Sequence, residues 1–169
     1  MGNLSNNSLA FIALCNEFCA AIEHSAESTS EDLTKEMLRL LPRIYITATD
    51  LEAEDDENVY IDSYLDEEKY ESIRRIIESI YGEADTFLEV FEEDMKYSDT
   101  PIASSVSEGL SDLFQVFYNF VETVKNLPSE SIRGAITAMK EDFENYWSQK
   151  LCNLLRPLNS IRYHYSFDF

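Results

Sequence analysis

Residues 105 to 126, SVSEGLSDLFQVFYNFVETVKN, contain the pattern that decides the fold. Ser105 and Glu108 match a capping box, in which the serine side chain accepts a hydrogen bond from the backbone three residues later. Apolar residues then recur at intervals of three or four, which predicts a long amphipathic helix whose apolar face must be covered by neighbours. This face consists of Val106, Leu110, Leu113, Phe114, Phe117, Val121 and Val124.

Two segments before this helix show the same helical period. Residues 11 to 22 place apolar side chains on one face, and Ser8 or a neighbouring asparagine suits the cap. The next helix has Ser30 as its predicted N-cap and continues to about Leu51, with acids in its first turn that suit the helix dipole. Pro42 lies within it, and we expect a kink or a break there because proline removes one backbone donor.

Two more helices complete the set. One spans about residues 66 to 81 and stops at Gly82, and the other runs from about residue 130 to 155. Between the second and third helices, residues 52 to 58 are a charge run that predicts a loop. Residues 58 to 65 predict an extended linker.

Length and composition limit the architecture. The chain has 169 residues, of which 44% are hydrophobic and 27% charged, and this is typical of one globular domain. Only four glycines and four prolines interrupt it, which disfavours a β fold with many turns. We predict a single-domain, all-α bundle of about five mostly antiparallel helices, with the bundle at residues 8 to 158 and a tail at 159 to 169.

The end of the chain, IRYHYSFDF at 161 to 169, has a different period. Apolar and polar side chains alternate strictly, which predicts an extended, strand-like tail rich in aromatic residues. Because a lone strand lacks a ladder partner, we expect the tail to lie in a groove of its own bundle, or to pair with a second copy or with another protein. A homodimer formed through residues 161 to 169 is therefore one hypothesis.

The charge is strongly unbalanced. Acidic residues number 33 against 13 Lys and Arg, which gives a net charge of −20. Such a field repels nucleic acids and anionic membranes and suits a basic protein partner, so we expect neither a nucleic acid nor a membrane as partner. Residues 50 to 94 hold 18 of the 33 acids. This density also suits mimicry of nucleic acid toward a DNA-binding protein, which reversing the charges within residues 52 to 57 would abolish.

The three cysteines show no disulfide or metal-binding pattern. Cys15 and Cys19 lie about one helical turn apart among apolar residues and are expected in the core, whereas Cys152 stands apart. The sequence has no signal-peptide pattern and no apolar run long enough to cross a membrane. These features predict a reducing, cytoplasmic location.

Residues 91 to 99, FEEDMKYSD, mix acids with a lysine and a tyrosine shortly before Pro101. The proline biases the preceding residue away from helix, so the segment predicts an elbow between two helices. We expect the elbow either to be held together by its own side chains or to form a ligand- or partner-binding cluster with the last helix, where Lys150 would pair with Asp94 or Asp99. Core packing is the alternative role of the two aromatic residues on that helix. The candidate binding residues are Asp94, Lys96, Tyr97, Asp99, Tyr146, Trp147 and Lys150.

Paired carboxylates are the pattern best suited to a divalent cation. Glu89 and Glu92 are three positions apart, and both would lie on the same helix face if the segment is helical. Glu108 and Asp112 are four apart and form a second pair. Two such pairs on facing helices resemble the Mg²⁺ site of all-α nucleoside triphosphate pyrophosphohydrolases, although the further Glu and the Lys of that family's motif are not matched.

No set of residues suits di-iron or nucleophilic catalysis. Neither His24 nor His164 has a glutamate three positions before it, as a di-iron bundle needs. The sequence also lacks a Gly-x-Ser-x-Gly motif and a phosphate-binding glycine loop. We therefore expect no cofactor and favour a non-enzymatic interaction module, with a Mg²⁺-dependent hydrolase as the alternative.

Three strings taken together resemble one family. They are LLPRIY at 40 to 45, EVFEEDMKYSDTPIASSVSEGLSDL at 89 to 113, and FENYWSQKL at 143 to 151. Over about residues 8 to 156 the chain resembles an uncharacterised family of small, acidic, helical bacterial proteins known only as a domain of unknown function. The resemblance implies a helical bundle of bacterial cytoplasmic origin, and it implies no activity, cofactor or catalytic residue.

Overall fold

The computed structural model describes residues 4–53, 59–89 and 102–165, and within them the chain is a single all-α domain. The predicted fold class is therefore confirmed. Short 3-10 turns lie between the helices, at Ser25–Glu27, Gly82–Asp85 and Ser129–Ser131. The helices are α1 (Asn6–Glu23), α2 (Ser30–Thr49), α3 (Glu67–Tyr81), α4 (Val106–Asn126), α5 (Ile132–Asp142) and α6 (Ser148–His164).

Side chains cap the first four helices, since their first backbone N–H groups have no partner within the helix. The predicted cap Ser105 is confirmed, because its side chain accepts from the N–H of Glu108 at 3.2 Å. For α1 and α2 the predicted N-cap lies later in the sequence than the observed one. Ser5, rather than Ser8, caps α1, and Thr29, rather than Ser30, caps α2.

Pro42 lies inside α2 without ending it, so the predicted break does not occur. A proline in the middle of a helix costs one backbone hydrogen bond, which the apolar face of α2 offsets by burial against the core. Gly82 ends α3 as predicted, with a positive φ of 56° that glycine adopts without strain.

Four helices surround the core, and α3 packs on the outside of α4. Around the core the order is α1, α2, α6 and α4, and each of these contacts the next. Neighbours run antiparallel, as predicted. The side chain of Asn7 near the start of α1 donates to the carbonyl of Thr47 near the end of α2 at 3.0 Å. The α4–α6 contact is close at Gly109, where an added Cβ would lie 2.7 Å from Cδ2 of Leu154.

A short antiparallel hairpin precedes α4 and was not predicted. Strand β1 (Thr86–Leu88) pairs with β2 (Ala103–Ser105), and Phe87 lies opposite Ser104. The Arg156 guanidinium of α6 donates to the carbonyl of Leu88 and so holds β1 against the last helix. The segment from residue 86 to 89 is therefore extended backbone and not the helix that the pairing of Glu89 with Glu92 assumed.

One helical rod joins α5 to α6 through a π turn (Phe143–Trp147), in which the N–H of Ser148 donates to the carbonyl of Phe143. The sequence contains the cause. Buried residues follow one another at intervals of four from Met139 to Phe143, Trp147 and Leu151. On an ideal α-helix three such intervals drift by about 120° away from the core. The wider π turn absorbs this drift and keeps both halves of the rod facing inward.

The prediction of an extended tail from residue 159 is wrong for its described part. Helix α6 continues to His164, nine residues beyond the predicted end of the last helix near residue 155. Ile161 is 7% exposed and continues the buried face that Leu154 and Leu158 begin. Burial at helical spacing therefore overrides the local alternation of apolar and polar residues. The basis for a dimer through a paired tail strand is removed for residues 161–164, and residues 166–169 lie outside the described part.

Candidate functional site

The structure places three of the seven candidate binding residues. Tyr146 and Trp147 lie in the π turn, and Lys150 lies in the first turn of α6, which follows it directly. The elbow candidates Asp94, Lys96, Tyr97 and Asp99, together with Glu92 of the metal hypothesis, lie outside the described residues.

Trp147 belongs to the core and not to a surface site. It is fully buried, and its ring stacks against Phe11 and contacts Phe117 and Phe143 edge-on, with centroids 4.6–6.1 Å apart. The indole N–H donates to the carbonyl of Met139 at 3.3 Å, so its polar atom is satisfied inside the bundle. The core-packing alternative therefore holds for this residue.

Lys150 forms an ion pair that joins three helices. Its Nζ lies 2.7 Å from Oδ2 of Asp112 on α4, while the Tyr70 hydroxyl of α3 donates to Oδ1 of the same carboxylate at 2.6 Å. The side chains of Lys150 and Asp112 are 36% and 17% exposed, so the pair lies at the rim of the bundle. Tyr146, 45% exposed, has its ring 5.9 Å from the ammonium.

Burial and charge act in opposite directions on the lysine of this cluster. Burial disfavours the charged ammonium, but the hydrogen bond and charge of Asp112 outweigh it and raise the pKa of Lys150. Burial, followed by the hydrogen bond to Asp112, raises the pKa of Tyr70 well above its usual value. Burial also raises the pKa of Tyr146. At neutral pH Lys150 is therefore an ammonium, and Tyr70 and Tyr146 are neutral phenols.

This arrangement is suited to holding α3, α4 and α6 together rather than to acting as a general acid, a general base or a nucleophile. A general base needs a pKa near neutrality, and a lysine nucleophile needs a lowered pKa, whereas here the pKa values of Lys150 and Tyr70 both rise. The sequence predicted Asp94 or Asp99 as the partner of Lys150; both lie outside the described residues, and among the described residues Lys150 pairs with Asp112.

Glu89 does not lie on a helix, as the predicted Mg²⁺ site required. Glu89 follows strand β1, and its N–H donates to the carbonyl of Ile102 at 2.7 Å. Glu108 and Asp112 do share a face of α4, but each oxygen of Asp112 already accepts a hydrogen bond from Tyr70 or Lys150. Within the described ranges, no three His, Cys, Asp or Glu side chains converge as a metal site would require.

Asp85 is a buried polar residue that the sequence did not single out. It is 4% exposed, and it accepts from the backbone N–H of Ser107 at 2.7 Å and from the Ser107 hydroxyl at 2.6 Å. Burial raises the pKa of Asp85 although both hydrogen bonds from Ser107 lower it. The contact fixes the turn before β1 to the first turn of α4. Its only sequence signal is an acid next to an apolar residue in a turn.

The largest accumulation of charge lies on α3 and the segment before it. From residue 59 to 89 there are nine acids and three cations. Arg74 pairs with Glu71 and Glu78, and Arg75 lies 3.9 Å from Glu71. Lys69 lies over the ring of Tyr118, 4.4 Å from its centroid. We call the exposed acids of this region the acidic α3 surface: Asp62, Asp66, Glu67, Glu68, Glu78 and Glu83.

Comparisons with known proteins agree with the fold. The crystal structure of protein BF1032 from Bacteroides fragilis superposes with a TM-score of 0.79 at 26% sequence identity, and the match covers 98% of each chain. Among curated proteins no relative matches the chain. In the part of the chain that the structure describes, no helix has the length and hydropathy needed to span a membrane.

A family model described as "Domain of unknown function (DUF5063)" matches residues 3–164, which is almost the whole chain. The resemblance drawn from the three sequence strings, to a helical family without an assigned activity, is thereby confirmed. The chain belongs to this family, the domain of unknown function DUF5063.

Proposed function

We propose that the protein is a non-enzymatic interaction module whose acidic α3 surface binds a basic segment of another protein. One observation carries the proposal. The acids of this surface outnumber the nearby cations, and each described cation there is already engaged, Arg74 and Arg75 by Glu71 and Lys69 by an aromatic ring.

Uncompensated carboxylates on a rigid helix attract cationic side chains and steer their approach. Glu67 and Glu68 lie in the first turn of α3 and are exposed. Binding there replaces water around separate charges by ion pairs at the rim, which are individually weak and sensitive to salt. We therefore expect the partner to bind reversibly and not as an obligate subunit.

The test is direct binding of a defined basic peptide. A fluorescein-labelled peptide of four Lys-Gly repeats is titrated with the protein and followed by anisotropy, beside a peptide of four Gln-Gly repeats. We expect the lysine peptide to bind and the neutral peptide not to bind. Replacing Glu67→Gln together with Glu68→Gln should weaken binding roughly threefold or more, as the loss of two surface ion pairs implies.

A matched control removes the same charge elsewhere. Glu31 and Asp32 are exposed acids in the first turn of α2, outside the acidic α3 surface. The double change Glu31→Gln and Asp32→Asn should leave peptide binding nearly intact. Equal losses in both double variants would show a general effect of net charge and contradict a site on α3.

The Mg²⁺-dependent hydrolase is the alternative, supported by the shared face of Glu108 and Asp112 on α4. Melting curves with and without Mg²⁺ or Mn²⁺ separate it from the interaction module. A cation-dependent rise in melting temperature that disappears in Glu108→Gln would support the metal site and contradict a module without one. The cytoplasmic location and bacterial origin are part of the proposal, supported by the free cysteines and by the relative from Bacteroides fragilis.

A further inference from the structure

The segment before α3 presents tyrosines to solvent from a backbone that packs on the bundle. Val59 and Ile61 pack against the core, and Leu65 is 5% exposed. Between them Tyr60 is 81% exposed and Tyr64 is 39% exposed. A tyrosine ring this exposed leaves a large apolar surface in contact with water, and such rings are frequent among the residues that dominate protein interfaces.

Side chains of α4 fix this backbone. The N–H groups of Tyr64 and Leu65 both donate to Oδ1 of Asn119 at 2.9 Å, and the N–H of Asp62 donates to the Thr123 hydroxyl at 3.1 Å. The segment is therefore ordered before any partner arrives. Pre-ordered aromatic side chains lose little conformational entropy on binding, which favours affinity.

The charges around the two rings are negative. Exposed Asp62 lies between the two tyrosines in the sequence, and exposed Asp66, which caps α3 through Oδ1, follows Tyr64 by two positions; the acidic first turn of α3 comes next. Within the described residues the nearest cation in sequence is Lys69, whose ammonium already lies over Tyr118 of α4. That contact shows, in the same molecule, the geometry in which a cation lies on the face of a tyrosine ring.

We propose that Tyr60 and Tyr64 bind arginine or lysine side chains of the basic partner by cation–π contact, with Asp62 and Asp66 pairing the same cations. This inference rests on the proposed function and adds where and by which chemistry the partner is held. Arginine fits better than lysine, because its planar guanidinium stacks on an aromatic face while it bonds a carboxylate in the same plane. The partner is thus an arginine-containing segment of a protein.

The experiment compares peptides and tyrosine variants in the anisotropy assay. The probes are a peptide of four Arg-Gly repeats, its Lys-Gly counterpart and its neutral Gln-Gly counterpart. The variants are the double change Tyr60→Ala with Tyr64→Ala, the corresponding double change to Phe, and Tyr163→Ala. Tyr163 is the matched control, since it is 67% exposed and belongs to α6 rather than to the segment before α3.

We expect the arginine peptide to bind more tightly than the lysine peptide. The double alanine variant should lose about fivefold in affinity for it, as two exposed cation–π contacts imply. The double phenylalanine variant should keep its affinity because it retains both rings, and Tyr163→Ala should behave as the unchanged protein. Tyr60→Ala alone should give a smaller loss of affinity and leave the fold in place, because the Tyr60 side chain is 81% exposed.

Two other outcomes overturn the inference in different ways. If the basic peptides bind the unchanged protein and the double alanine variant equally, the tyrosines are not the contact, and the proposed function stands on the carboxylates alone. If neither basic peptide binds the unchanged protein, the proposed function fails and this inference fails with it.

Discussion

Asp85 shows how one buried carboxylate is held between opposing effects. Its burial penalises the charged form, while two hydrogen bonds from Ser107, at the first turn of α4, favour it. Burial dominates, so the pKa of Asp85 lies above its ordinary value. A folded-state pKa above the unfolded value means that the folded protein holds the proton more tightly.

The pH dependence of stability follows from this sign. The favourable contribution of Asp85 is fully present below the unfolded pKa of about 4, and it is lost as the pH rises through the raised folded pKa. We therefore expect the free energy of unfolding of the unchanged protein, relative to Asp85→Asn, to fall as the pH rises from about 4.5 toward 7. Urea denaturation of both proteins across this range measures the difference.

Glu83→Gln provides the control for that experiment. It removes one exposed charge from the same 3-10 turn and leaves the contacts of Ser107 with Asp85 in place. A difference between the unchanged protein and Asp85→Asn that stays constant with pH would contradict the raised pKa.

Residue identities could be predicted better than residue partners. Lys150 and Asp112 were both singled out from the sequence, but for separate reasons and with other partners. They are 38 positions apart on two helices, and Tyr70 reaches them from a third. Such a meeting depends on helix rotation and order, which no local spacing encodes. The acid-rich region, in contrast, is a property of the sequence itself.

At the scale of elements, the π turn is the feature that sets the register of the last helix. It corrects the drift of three successive four-residue intervals between Met139 and Leu151. Removing one residue within the turn leaves eleven steps between these two positions, which is within about 20° of three whole α-helical turns. The buried faces on both sides would then still point to the same core.

Deleting Asn145, an exposed residue of the turn, should therefore be tolerated. We expect this variant to keep one cooperative thermal transition by circular dichroism. Deleting Cys152 instead, an exposed residue beyond Leu151, leaves the twelve steps from Met139 to Leu151 unchanged and rotates Leu154, Leu158 and Ile161 by about 100°. Burying a Leu or Ile contributes about 2–5 kcal/mol, so the loss of several exceeds the stability of a typical domain. A Cys152 deletion that melts like the Asn145 deletion would contradict this role of the π turn.

Long helices were predictable because burial at intervals of three and four repeats over many residues. The hairpin was not, since its strands are three residues each and exist only through pairing across residues 86 to 105. The end of α6 was also mispredicted because the local pattern alone does not determine its structure. Ile161 belongs to an alternating pattern and to a helical one, and the neighbouring helices decide between them.

At the scale of the whole molecule, the net charge of −20 makes the folded state repel itself. Raising NaCl from about 0.01 to 0.15 M shortens the screening length from about 30 to about 8 Å. We expect the melting temperature to rise by about 2–4 °C over this range, the equivalent of about 1 kcal/mol for a chain of this size. KCl should act equally, because screening does not depend on the identity of the cation.

The same salt should weaken peptide binding to the acidic α3 surface while it stabilises the fold. Opposite responses of stability and binding are characteristic of a charged surface that attracts a partner but destabilises the free protein by repulsion between like charges. A melting temperature that falls with added salt would show that attractive ion pairs within the fold outweigh the repulsion.

The packing of Trp147 gives the molecule an optical reporter. It is the sole tryptophan of the chain, and its ring touches aromatic residues of α1, of α4 and of the π turn. Separation of any one of these elements admits water to the indole and shifts its emission to longer wavelength. Intrinsic fluorescence therefore reports the opening of the bundle centre without a label, and Tyr60 and Tyr64 lie outside the centre that it reports.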